Sequence, residues 1–440
     1  MREKILMFYS NHQPGFQIFK AVLGAVLLTI LVLLVNLDVI PLIHVLPGFL
    51  LTGTALAQSI LSTLAGAWLT VTTFTFSTTM VVLTTYSSSY SPRIVENFLQ
   101  QKTTMRVLGT FIGGFLYCIS MLFFLNKSLV GEQVLSSSVA ILYALWCVAQ
   151  FVIFIFTVAN AVQAQNLIGS LYDEAADIID TYKQEEMNLR SEHIETERFA
   201  FSYAIIANGS GYLEAVHTRD ILRLLEPEGH RVLVSARVGD FVRNGAKLAT
   251  WHCQEAPENA EELQAKIARC FNLKNKRYTI LDYRYSLEKI VDIALRAISP
   301  GINDPNTAIS CINSLGLLTG DLAGIEGRYD ILETEHDEEA KDPSEIVIEN
   351  FSLGEDLFTI YSQIVHYGQN DLSIIKALLQ AIAGAALVST PSNRRHLLAI
   401  GRYIHDSARP NFTQDQDLNQ LERSLHQLLQ AVGEGTVALR

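Results

Sequence analysis

The stretch "LTVTTFTFSTTMVVLTTYSSSYSPR", Leu69 to Arg93, combines two features that rarely go together. It lies in a run with no Asp, Glu, Lys or Arg between Asp38 and Arg93, as a membrane helix would, yet it is crowded with Ser and Thr. On a seven-residue grid, Thr63, Thr70, Ser77 and Thr84 share one helix face. Their partners three residues on are Gly66, Thr73, Met80 and Ser87. Only Met80 interrupts this small, hydroxylated seam. The bulky Trp68, Phe74, Phe76 and Val81 fall off it. Two readings follow. Small and hydroxyl residues let membrane helices approach closely and hydrogen-bond across the seam. Alternatively, copies of the helix around an axis form a hydroxyl-coated pore, with a ring of Met80 as a constriction that gates by dewetting.

Working outward, charge divides the chain. A second charge-free gap runs from Glu132 to Asp173, and charges are frequent after it. The 440 residues carry a net charge of −12, and the mean hydropathy of +0.23 is high for a soluble chain and low for an all-membrane one. A mixed architecture is expected: membrane spans plus water-facing domains. Four stretches can each supply the roughly 20 apolar residues of a span. They run from about residue 18 to 37, 59 to 86, 106 to 127 and 137 to 162. The first is too long, and lacks the cleavage site, for a removed signal peptide. Lys and Arg collect before span one (Arg2, Lys4, Lys20) and between spans two and three (Arg93, Lys102, Arg106). Both termini are therefore expected in the cytoplasm. The partners expected are the lipid bilayer, small ions and further copies of the chain; no nucleic acid is expected.

Spans two to four contain no Asp, Glu, Lys, Arg or His, which disfavours a proton-coupled transporter or a voltage sensor but not a passive channel. The connection "PLIHVLPGFLLTGTALAQS" between spans one and two is apolar but broken by Pro41, Pro47, Gly48 and Gly53. It either lies on the outer interface or dips in as a re-entrant loop. Gly113 and Gly114 read as a close-packing site. Ser91, Pro92 and Arg93, where the hydroxyl helix ends, are candidates for gating or for coupling to the cytoplasmic part.

The fold class expected is an α-helical membrane protein with four transmembrane helices and an α+β cytoplasmic domain. The latter comprises a small β-rich, barrel-sandwich-like part and a helical C-terminal part. The boundaries are 1–163 for the membrane domain, 164–197 for a helical stalk, 198–255 for the β-rich part and 256–440 for the helical part. In the stalk, Leu167, Leu171, Ala175, Ile178 and Ile179 keep helical spacing. "VGDFVRNGAKL" suggests the barrel-sandwich shape, without a carrier lysine at the turn. From Glu326 to Glu349 there are ten acidic and two basic residues, expected as a solvated hairpin or loop within 326–350. In "AISPGINDPNTA", Asp304 is placed to cap a helix that Pro305 begins. Asn303 and Asp304 are also the candidate ligand site, as an amide and a carboxylate beside a helix N-terminus. The five cysteines have no metal-ligand spacing, and no catalytic residue, cofactor or metal is expected.

Several strings, "TTFTFSTTMVVLTTYSSSYSPRIVENFL", "VLGTFIGGFLYCISML", "GSGYLEAV", "RVGDFVRNGAKL" and above all "IVDIALRAISPGINDPNTA", resemble the bacterial predicted membrane protein family called domain of unknown function 2254. The likeness runs from span one to the last helices; Asn306 and His217 depart from the usual pattern. It implies four spans and a cytoplasmic domain, and brings no activity. The function expected is a homo-oligomeric channel for small ions, lined by span two and regulated by the cytoplasmic domain. The alternative is a membrane-anchored sensor or scaffold that binds a ligand and does not conduct.

Overall fold

A computed structural model describes residues 13–43, 45–89, 92–94, 102–125, 133–161, 163–184, 189–191, 194, 199–225, 229–277, 282–333, 343–349 and 352–434. The chain forms two compact units, residues 1–167 and 168–440.

Among the described residues, four helices are long and apolar enough to cross a membrane. They are α1 (Gln13–Asn36), α2 (Thr54–Ser89), α3 (Lys102–Phe124) and α4 (Ser136–Ala161). Helix α3 is the central one, and half of its most apolar window is buried against its neighbours. Small residues permit this. A Cβ on Gly109 would lie 2.9 Å from the backbone of Ile18, and one on Gly113 3.0 Å from both Ala25 and the Tyr143 hydroxyl. A Cβ on Gly114 would meet the rings of Tyr143 and Trp68. The close-packing reading of Gly113 and Gly114 matches this geometry. The bundle core is aromatic: Trp68 stacks on Phe111 at 5.9 Å, and Tyr117 on Tyr143 at 6.5 Å. At one end, β1 (Thr52–Gly53) pairs antiparallel with β2 (Gln133–Val134), tying the α1–α2 connection to the α3–α4 connection.

The stretch expected as a stalk over 164–197 is organised differently. Helix α5 spans Ala164–Gln184 and is followed by the short strand β3 (Leu189–Ser191). Its apolar stripe of Leu171, Ala175 and Ile179 is wholly buried. Glu174 pairs with Lys289 at 3.0 Å, and Lys183 with Asp321 at 2.7 Å. Most of α5 is therefore built into the second unit.

The β-rich part also extends past its expected limit. Six strands pair in the order β3-β10-β11-β6-β8-β4, from β4 (Phe201–Ile206), β6 (Arg231–Val234), β8 (Lys247–Cys253), β10 (Tyr329–Glu333) and β11 (Glu345–Glu349) beside β3. A second sheet has the order β7-β5-β9, with β5 (Gly211–Val216), β7 (Phe241–Val242) and β9 (Phe271–Lys274). "AIIANGSGYLEAV" does give two strands, but β4 and β5 enter different sheets. The strands thus form a six-stranded and a three-stranded sheet, and this pairing does not by itself show the barrel-sandwich shape expected. The acidic segment does form a hairpin, β10 with β11; residues 334–342 lie outside the described residues. It is no mere solvated loop. Strand β11 sits inside the large sheet, parallel to β6, with Ile346 and Val347 fully buried. Two helices, α6 (Thr218–Leu224) and α7 (Ala260–Ala268), accompany the sheets around a core that includes Trp251, Val232 and Ile221.

The helical part comprises α8 (Tyr283–Ala297), α9 (Pro305–Ala323), α10 (Leu353–Gly368), α11 (Leu372–Val388), α12 (Pro391–Ala408) and α13 (Asp415–Val432). Gly316 and Gly320 bring α9 against Ala381, Ala385 and Val388 of α11.

Candidate functional site

Helix α2 has two opposite faces. Ala57, Leu61, Ala65, Trp68, Thr75, Thr79 and Val82 are buried against the other spans. Thr63, Gly66, Thr70, Thr73, Ser77, Met80 and Thr84 are all exposed in the chain. Thr70 and Thr79 illustrate the offset: nine residues separate them, about two and a half turns, so they point in opposite directions. The seam therefore does not serve packing against α1, α3 or α4. Ser87 lies in α2, but its side chain is outside the described part.

The four seam threonines share one local arrangement. Thr63 donates to the Ser59 carbonyl at 2.9 Å, Thr70 to Gly66 at 3.0 Å, Thr73 to Leu69 at 2.9 Å and Thr84 to Met80 at 2.9 Å. Each proton goes to the carbonyl four residues back, which satisfies it without leaving the helix. What such a threonine offers outward is an oxygen lone pair. The exposed seam is thus a row of acceptors, broken by the Met80 thioether. Apolar side chains flank it, with Leu69 and Phe76 on one side and Phe74 and Val81 on the other, all exposed.

Below the seam, Pro92–Ile94 forms a single 3-10 turn. Ile94 is fully buried and Arg93 exposed. Ser91 lies outside the described residues.

Asn303 and Asp304 lie in the second unit, in the turn between α8 and α9. Asn303 adopts a left-handed φ of 52°, which Asn tolerates better than most residues. Its amide and that of Asp304 return to the end of α8, donating to Ser299 at 2.9 Å and Ala297 at 2.8 Å. One Asp304 oxygen accepts from the Thr307 amide at 3.1 Å, the other from the Thr307 hydroxyl at 2.6 Å. These hydrogen bonds hold the carboxyl below the usual aspartate range. Both oxygens are engaged in capping α9, with Pro305 at its first position. Helix capping alone accounts for the motif.

Two charged constellations in the second unit escape sequence reading. In the first, Arg237 donates to both oxygens of Asp356, at 2.9 and 2.7 Å, and to the Tyr283 hydroxyl, which donates in turn to Asp356 at 2.6 Å. Burial opposes the Arg237 charge, but Asp356, Tyr283 and Asp240 more than offset it and raise its pKa. Nearby, Arg284 pairs with Asp240 at 2.9 Å, and Arg277 with Asp282 at 2.6 Å and Glu288 at 2.9 Å. Gly239, at φ +91°, lets the turn pass against the Asp282 carboxylate, which a Cβ would strike. In the second, register aligns Glu345, Arg231, His252 and Ser202 across β11, β6, β8 and β4. Arg231 pairs with Glu345, and His252 Nδ1 lies 2.8 Å from the Ser202 hydroxyl. Burial, then the charges of Arg231 and Lys247, lower the His252 pKa. The partners are up to 119 residues apart in the chain, so no local spacing announces them.

The model of a family described as "Predicted membrane protein (DUF2254)" matches residues 15–384. The chain belongs to this family. DUF2254 thus spans α1 to most of α11, and so takes in the hydroxyl seam, the Asn303–Asp304 turn and both charged constellations. Among relatives of this DUF2254 chain are the uncharacterized protein Rv1290c of Mycobacterium tuberculosis (strain H37Rv) and Mb1321c of Mycobacterium bovis. Each is 25% identical over 352 residues, 77% of this chain and 65% of the relative. The DUF2254 chain therefore spans a little under two thirds of the length of these curated relatives. No solved structure matches it.

Proposed function

We propose that this protein is a homo-oligomeric channel for small ions in a bacterial inner membrane, lined by the exposed seam of α2. One observation carries the reading. Seven hydroxyl, small or thioether positions are turned away from the chain's own spans, while α2 packs through its opposite face. A polar face gains nothing from lipid tails. Copies arranged around an axis would give it water instead, with the flanking Leu69, Phe76, Phe74 and Val81 meeting neighbouring copies or lipid. Because the threonine protons are held by the helix, the lining presents acceptor oxygens, which suit cations over anions. Met80 would form the constriction. Both termini would be cytoplasmic, with the second unit as the regulatory part and Arg93 at the junction. No catalytic step is assigned. The alternative is a non-conducting sensor or scaffold.

The test is conductance of purified full-length protein in planar bilayers, wild type beside Met80→Ser. The expected result is single-channel steps that are cation-selective, with a higher leak in the variant. Silence from both, with inserted and folded protein, would favour the sensor or scaffold.

A further inference from the structure

The connection between α1 and α2 exposes a run of large apolar side chains. Val39 is 65% exposed, Val45 81% and Phe49 82%; Leu37 and Leu42 are exposed too. In an aqueous loop such a run would be costly. Three further observations suggest what surrounds it.

First, the backbone of the segment is largely self-satisfied. The amides of Asp38, Val39 and Ile40 donate to carbonyls at the end of α1. Those of Leu42, Val45, Leu46, Leu50 and Leu51 donate within the segment, and Pro41 and Pro47 carry no N–H. Among the described residues few donors are left needing water, as expected of backbone in a poorly hydrated layer. Second, the segment is pinned at both ends. Asn36 accepts from the Leu135 amide at 2.9 Å, Ser138 donates to the Leu50 carbonyl at 2.7 Å, and Thr52 bonds with Ser137. The apolar face is therefore held in place at the end of the four-helix unit. Third, it continues the charge-free surface of the spans: from Val39 to Pro92 there is no Asp, Glu, Lys or Arg.

We propose that residues 37–43 and 45–51 form an interfacial membrane anchor, with the boundary between lipid headgroups and acyl chains as its partner. A re-entrant loop would have to be buried in protein or line a water-filled cavity, whereas Val45 and Phe49 are exposed in the single chain. Val45 and Phe49 instead face outward from the end of a span, where amphipathic segments insert about 5–10 Å into that boundary. The proposal requires that the chain spans the membrane, and does not depend on conduction.

The test uses full-length protein in vesicles of phosphatidylcholine and phosphatidylglycerol. Single cysteines replace Val45 or Phe49 and carry a nitroxide; the five native cysteines are buried, which favours labelling of the introduced site. Power-saturation spectroscopy then compares collision with oxygen and with a water-soluble nickel chelate. Phe123→Cys, on the exposed face of α3, calibrates a lipid-facing site. Oxygen collisions exceeding chelate collisions at both positions, at a level between Phe123→Cys and a water-facing label, are expected. Chelate-dominated collisions would overturn the anchor in favour of an aqueous loop. Protection from both agents would also overturn it, by showing that another protein surface, such as a second copy, covers the segment. Two positions keep the test usable if one variant fails to insert.

Discussion

The polar residues of the second unit and those of α2 meet opposite fates. In the second unit, buried charge is taken up by the fold. Arg237, Asp356 and Tyr283 bond to one another, Arg231 bonds to Glu345, and Lys289 bonds to Glu174. On α2, the exposed threonines bond backward along their own helix, and their outward oxygens meet no partner among the described residues. Folding accounts for the first set and leaves the second set over. That contrast is the reason for placing function on α2 rather than in the charge-rich unit, where sites are usually sought.

The contrast can be broken at its strongest point first. Asp356→Ala leaves the Arg237 charge buried beside a cavity, and breaking such a pair costs about 3–5 kcal/mol. A large fall in the thermal unfolding midpoint of the second unit is expected in full-length protein, with no change in insertion. A neutral result would mean that the pair is not buried as described. The same chemical change at two threonines then sharpens the comparison. Thr319, fully buried, shares a hydrogen bond of 2.8 Å with the Tyr361 hydroxyl. Thr319→Val strands that hydroxyl and is expected to cost about 1–3 kcal/mol.

The pH dependence should be smaller. His252 has a folded pKa below its ordinary value, chiefly through burial. The unfolded chain then binds the proton more readily, so stability declines as pH falls through about 6.5 towards the folded value. His252→Gln should remove that part of the slope, read as the difference between the two unfolding-against-pH curves; identical slopes would count against it. Smallest of all, Thr73→Val on the exposed seam should change the unfolding midpoint by no more than about 0.5 kcal/mol equivalent. A loss as large as at Thr319 would mean that the seam packs after all.

Much of this was legible in the sequence, for physical reasons. Spans are set by length and the absence of charge, so the four helices fall within a few residues of their expected limits. The cap at Asp304 is a local rule, and the structure shows both of its oxygens in use. The sheets were harder to read. "EIVIE" lies in an acidic stretch, so composition pointed to solvent, while the burial of Ile346 and Val347 depends on β6, more than 100 residues away. "VGDFVRNGAKL" gives turns and alternation but not which sheet each strand joins. The apolar stripe of α5 is visible in the sequence, but what it packs on is not. For α2 the seam was legible as a pattern, whereas its outward direction needed the structure.

The central claim is that this seam faces water shared between copies, and thiol accessibility tests it most directly. Cysteines would be introduced singly at Thr70, Thr73 and Ser77, and at the flanking Phe74 and Val81, in full-length protein in vesicles. Their reaction with a charged, water-soluble thiol reagent would then be timed. The account predicts fast labelling at the three seam positions and little at the two flanking ones. Equal and slow labelling at all five would place the seam against lipid or protein and contradict it.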